Sequence, residues 1–201
     1  MNRIRLVAVV SMSVSVSMSM SWARDARAQE PVVGSLMFLY DDAKQNITGA
    51  AEKAEFDIYG FKPADETRTL AQQLTHVADA NYLFCSASRG VDNPHPGAAP
   101  GAQGELEKTK TSKAEIVAAV KASFDFCDVA FEEATDASLA EMVELSTPEG
   151  STPLPRASML SLAVYHAGHH YGSIATYLRL NGMVPPSTER SLASSPSSKN
   201  E

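Results

Sequence analysis

The stretch that most constrains this chain is PRASMLSLAVYHAGHHYGSIATYLRLNG, residues 155–182. It predicts one helix of about 25 residues that opens after Pro155 and stops at Gly182, with Pro185 and Pro186 just beyond. Met159, Leu162, Ala163, Ile174 and Tyr177 recur at helical spacing, and His166 and His170 fall on the same seam. Four residues advance a helix by about 40°, so the two imidazoles stand one above the other. Histidines on a seam that faces other helices need hydrogen bonds or a metal, because a buried polar group without a partner is costly.

A helix with one apolar face requires others to cover it, and three more periodic segments precede it. From Pro31 to about Ala54, apolar residues at Val33, Leu36, Met37, Tyr40, Ala43, Ile47, Ala50 and Ala51 mark the first. The next segment, FDIYGFKP, is a turn whose Phe56, Tyr59 and Phe61 are expected to plug one end of the core. Thr69 and Gln72 have capping-box spacing, which starts a second helix at Leu70 that runs to about Ser88 and ends at Gly90. His76 lies at the edge of its apolar stripe. Residues 89–111 hold four glycines and three prolines and read as a long irregular loop, with His95 exposed between two prolines. Ser112 and Glu115 open a third long helix from Lys113 to about Ala134. A short helix over residues 138–145 and a proline-containing connection lead into the final helix. The domain is expected to span residues 29–188, and residues 189–201 read as a disordered tail.

Residues 1–28 carry Arg3 and Arg5, an uncharged run from Leu6 to Trp22, and small residues at Ala26 and Ala28. This is the pattern of a secretory signal peptide, which points to an exported, periplasmic protein of a Gram-negative bacterium. The run is diluted by serines and falls short of the roughly 20 strongly apolar residues that span a bilayer, so the mature form is expected not to cross a membrane. Without this leader the chain holds 13 basic and 23 acidic residues, a net charge of about −10. An acidic domain without a basic cluster is a poor ligand for nucleic acid.

The two cysteines, Cys85 and Cys127, show no Cys-x-x-Cys spacing. Cys85 lies about 16 residues into the second helix and Cys127 about 15 into the third. Parallel helices would bring them to one height for a disulfide; antiparallel ones would leave two buried thiols.

One histidine from the second helix and two from the fourth make a three-imidazole site at His76, His166 and His170. Such a site suits one divalent ion, zinc or nickel foremost, with cobalt or iron also compatible, and leaves a coordination position open. No glutamate stands where the His-Glu-x-x-His base would be. Asp79, three residues after His76, is the one catalytic candidate, as a base, a fourth ligand or an orienter, and an ordinary surface aspartate is its plain alternative. His169 is rotated off the seam and is expected to face Tyr165 and Leu162 or solvent. Tyr165 and Tyr171 flank the pair.

LAQQLTHVADANYLFCSA, SKAEIVAAVKASFDFCDVAF and YHAGHHYGSIATYLRLNGMVPPST together resemble the DinB family, and HYGSIATYLRLNGMVPPS is the most specific piece. The resemblance covers residues 32–188. It implies an all-α four-helix bundle whose second and third helices run parallel across a long loop. It also implies a divalent metal at His76, His166 and His170, and frequent homodimers. The family is similar in fold to metal-dependent thiol transferases, so a metal-dependent enzyme acting as a hydrolase or on a thiol or other small-molecule substrate is the leading functional expectation. A metal-binding or stress-related exported protein without catalysis is the second, and a structural bundle with hydrogen-bonded histidines the third.

Overall fold

The computed structural model describes residues 30–96 and 102–195. The signal peptide expected at residues 1–28 lies outside them. The fold is all-α, with several packed helices and one small β-hairpin. In chain order these are α1 (Pro31–Lys53), a 3-10 turn (Phe56–Gly60), α2 (Leu70–Arg89), α3 (Glu105–Thr109), α4 (Lys113–Glu133), a 3-10 turn (Ser138–Ala140), β1 (Met142–Thr147), β2 (Gly150–Pro155), α5 (Arg156–Leu180) and α6 (Pro186–Ser194). Among the described residues, no helix is long and apolar enough to cross a membrane.

The starts of α2 and α4 follow from local chemistry. Thr69 accepts the Gln72 amide while Gln72 returns a bond to the Thr69 amide, and Ser112 and Glu115 repeat the exchange. Gly90 closes α2 in the left-handed region at φ 66°, where glycine pays no Cβ penalty. The N-terminus of α1 is satisfied from far away in sequence: Asp136 accepts from the amides of Val32 at 3.1 Å and Val33 at 2.9 Å. That carboxylate does for α1 what an adjacent N-cap does for α2.

The central element is α2, buried almost continuously from Gln73 to Ser88 and packed against α4, α5, α3 and β1. Asn81 donates to Ser123 at 3.1 Å, Cys85 is bonded to Cys127 with their Cα atoms 5.3 Å apart, and Arg89 meets Glu133 at 3.3 Å. The partners advance together along both helices, so α2 and α4 point the same way. The core is filled by Phe124, Phe131, Ile47, Leu70, Leu74 and Ile174, all fully buried. Tyr40 stacks on Phe131, with ring centroids 4.1 Å apart. Its hydroxyl lies 2.7 Å from the Phe124 carbonyl and 2.8 Å from the Asp128 carboxylate, so one proton is shared between two acceptors. Removing it with Tyr40→Phe leaves both acceptors short of a donor, and urea unfolding should register a loss of about 1–2 kcal/mol. An unchanged midpoint would show that water replaces the hydroxyl at no cost.

Four expectations need correction. The bundle is not a plain set of four helices, because the long connection folds part of itself into α3, with Leu106 and Glu107 buried on α2. Residues 138–145 are helical only in the 3-10 turn at Ser138–Ala140: from Met142 the chain is a strand, with Val143 and Leu145 alternating inward, and it pairs antiparallel with β2 in a register from Met142 opposite Pro155 to Thr147 opposite Gly150. Phe56 is 63 % exposed, so only Tyr59 and Phe61 close the end of the core; Phe61 packs edge-on against Tyr177. Finally, the tail expected from residue 189 is helical as far as Ser194. A Cβ on Gly49 would come within 3.2 Å of the Pro186 ring, so this glycine keeps the space into which the buried proline packs. Ion pairs from Lys53 to Glu189 and from Arg190 to Asp42 hold the rest of α6 to α1.

Candidate metal centre

Three histidines from two helices converge inside the bundle. His76 comes from α2 and His166 and His170 from α5, the last two placed on one face by their four-residue spacing. Their ring centroids are 5.0, 4.8 and 4.4 Å apart, and one donor atom from each lies within 4.8 Å of the others. His76 and His170 are buried and His166 is half-buried.

The surroundings keep the two α5 rings neutral. Burial, reinforced by the neighbouring imidazoles and Arg68, pushes both His166 and His170 down to about 3. A neutral imidazole is the form that binds a metal. The Nδ1 atom of His170 stands 2.5 Å from Gln73 Oε1, and Gln73 donates its amide to the Tyr177 hydroxyl at 3.4 Å, which itself donates to the Arg68 carbonyl at 3.1 Å. The carbonyl oxygen only accepts, so this network places the His170 proton on Nδ1 and leaves Nε2 as the donor atom. On the other side, His76 Nδ1 faces Glu107 Oε2 at 3.4 Å, and Arg68 Nε is 3.1 Å from Glu107 Oε1. Desolvation would raise the Glu107 carboxyl, but the His76 contact and the Arg68 charge outweigh it and hold the group below the usual carboxylate range.

The fit to a metal ion rests on one further atom. His166 Nδ1 is buried with no hydrogen-bond partner, and its ring is flanked by Phe84, which offers none. Three imidazole nitrogens within reach of one point form a donor set suited to a divalent cation.

The other candidates have different tasks. Both oxygens of Asp79 accept backbone amides of α3, from Leu106 at 3.1 Å and Glu107 at 3.0 Å, so this buried carboxylate is a helix cap and not a surface group. His169 is exposed and stacks loosely with Tyr165. Tyr171 is bonded to Ser187 at the root of α6. His95 is half-buried against the Tyr82 ring and 3.4 Å from Glu105, a correction to its expected exposure. Sequence reading missed Gln73 and Glu107. The first was visible in principle, three residues before His76 on the same helical face. Nothing local in GELEKT marks Glu107 as inward-facing.

Residues 39–174 match the sequence pattern of the DinB superfamily. The chain belongs to the DinB superfamily. The curated DinB-like relative YjoA of Bacillus subtilis is 27 % identical over 139 residues, spanning 69 % of this chain and 84 % of that protein. Its crystal structure superposes with a TM-score of 0.55 at 22 % identity, covering 75 % of this chain and 94 % of YjoA. A DinB-like protein of Bacillus cereus gives a TM-score of 0.59 at 18 % identity, over 75 % of this chain and 93 % of the other. A mycothiol-dependent maleylpyruvate isomerase shares the fold with a TM-score of 0.55 at 17 % identity, over 71 % of this chain and 60 % of that enzyme. Within the DinB superfamily the present chain thus combines the shared bundle with a three-histidine cluster between α2 and α5.

Proposed function

We propose that this protein holds one divalent metal ion, zinc or nickel, at His76, His166 and His170 and uses it as a metal-dependent enzyme on a small-molecule substrate. The observation that carries this reading is the convergence of three imidazoles, the two on α5 kept neutral by burial, with the buried Nδ1 of His166 left without a hydrogen-bond partner. Three protein ligands leave a coordination position open, and a bound ion supplies Lewis-acid activation of a water, a thiolate or a substrate oxygen there. The chain's own residues contribute orientation: Gln73 holds the His170 ring, and Glu107 faces the His76 ring with Arg68 paired behind it. The fold likeness to a thiol-dependent isomerase makes small-molecule thiols the first co-substrates to try, followed by esters and amides open to hydrolysis.

The export signal read in residues 1–28 and the Cys85–Cys127 bond both fit an oxidising compartment, which supports a periplasmic site of action. A non-catalytic metal-binding role is the second reading, favoured by the burial of His76 and His170. Elemental analysis of the untagged mature protein, beside a His76→Ala, His166→Ala, His170→Ala triple variant, tests the shared premise. About one divalent ion per chain in the wild type and none in the variant is the expected result. Protein that is metal-free and takes up no added zinc, nickel, cobalt or iron would overturn both readings.

A further inference from the structure

Besides the His95 contact with Tyr82, the connector between α2 and α4 reaches α2 at His76 and Asp79, two residues three apart that share a face of that helix. Asp79 caps the first turn of α3 by accepting the Leu106 and Glu107 amides. The approach is so close that a Cβ on Gly104 would collide with the Asp79 carboxyl, so the backbone fits there only as glycine. With Leu106 buried beside it, the register of α3 is set, and the next side chain, Glu107, is turned fully inward. Glu107 Oε1 is taken by Arg68 at 3.1 Å and Gln103 at 3.3 Å. Oε2 has His76 Nδ1 in front of it at 3.4 Å, an approach just outside hydrogen-bond geometry, and neither of those two buried atoms has a hydrogen-bond partner among the described residues.

A carboxylate only accepts, so an N–H at His76 Nδ1 is attracted to Oε2 whereas a lone pair there is repelled. We infer that Asp79, Gly104 and Glu107 form one positioning device for His76, which fixes the proton on Nδ1 and frees Nε2 as a donor. Asp79 and Gly104 hold α3 in place, α3 delivers Glu107, and the carboxylate selects the tautomer and strengthens the remaining nitrogen as a ligand. Asp79 therefore affects the centre through two intermediates without touching it. The inference deepens the metal-binding reading as regards affinity, while its statement about the tautomer stands on the protein alone.

Long-range proton–nitrogen NMR of the full metal-free chain should show His76 protonated on Nδ1. Glu107→Ala should give a mixture of tautomers, and Glu107→Gln, whose carbonyl still accepts, should restore the wild-type form. In competition with a chromophoric chelator for zinc, Glu107→Ala should bind about 10- to 100-fold more weakly. Gly104→Ala removes no polar group and displaces α3, so it should weaken zinc in the same direction, and it serves as the deciding variant if Glu107→Ala fails to fold. Wild-type tautomer and wild-type affinity in a folded Glu107→Ala or Gly104→Ala protein would overturn the inference. A wild type that takes up no zinc would overturn the metal reading instead, and the tautomer measurement would still decide this one.

Discussion

Saturating the metal-free protein with zinc should raise its unfolding free energy by about 4 kcal/mol at a free-ion concentration 1,000 times the dissociation constant. For a domain of this size that corresponds to an increase in Tm on the order of 10 °C. The reason is that the native fold alone gathers all three ligands: His76 lies on α2 and His166 and His170 on α5, about ninety residues further along the chain. The unfolded chain keeps His166, His169 and His170 within local reach, and any ion held there subtracts from the gain. His76→Ala separates the two contributions. It leaves the local histidines intact and removes the strut between α2 and α5, so the zinc-dependent rise should shrink to less than about 1 kcal/mol. A rise in His76→Ala as large as the wild type's would place the ion elsewhere and sink the three-histidine centre.

The second large effect belongs to the cross-link between α2 and α4. Cys85 and Cys127 are fully buried and separated by 42 residues in sequence. Closing a loop of that length removes enough freedom from the unfolded chain to stabilise the fold by about 4 kcal/mol in the chain-entropy account. The double variant Cys85→Ala, Cys127→Ala should lose about 3–4 kcal/mol in urea unfolding. The metal centre should survive, because Asn81 to Ser123 and Arg89 to Glu133 still align the two helices and none of the three histidines touches the bond. A loss below about 1 kcal/mol would mean that the unfolded chain is already compact around these helices and that the bond constrains little. Zinc uptake abolished in a folded double variant would mean that the cross-link also sets the spacing between α2 and α5.

Much of the helical framework was legible because its signals act within a few residues. The capping boxes at Thr69 and Ser112 and the glycine stop at Gly90 need only neighbours in sequence, and all three occur where the spacing puts them. The same holds for the His166, His170 pair, whose common face is a property of any helix. The β-hairpin was misread although its period-two pattern at Val143 and Leu145 was present, since a six-residue strand offers too few positions to outweigh a helical reading. The extension of the fold into α6 was missed for a different reason: Gly182 ends α5 and the two prolines beyond it read as a stop, yet whether the following chain docks depends on Gly49 making room on α1.

By itself, then, the sequence determined the four long helices, the pairing of two histidines on one of them, and the kind of ion that three imidazoles suit. These follow from periodicity, caps and ligand chemistry, all of them local or compositional. The expected meeting of His76 with His166 and His170 is found, whereas only the tertiary structure decided that Asp136 caps α1 across more than a hundred residues, that Cys85 and Cys127 are joined, and that Asp79 serves α3 while Glu107 faces the centre. Each of those depends on the path of a connection, and a connection's path is set by what it packs against, which no window along the chain contains.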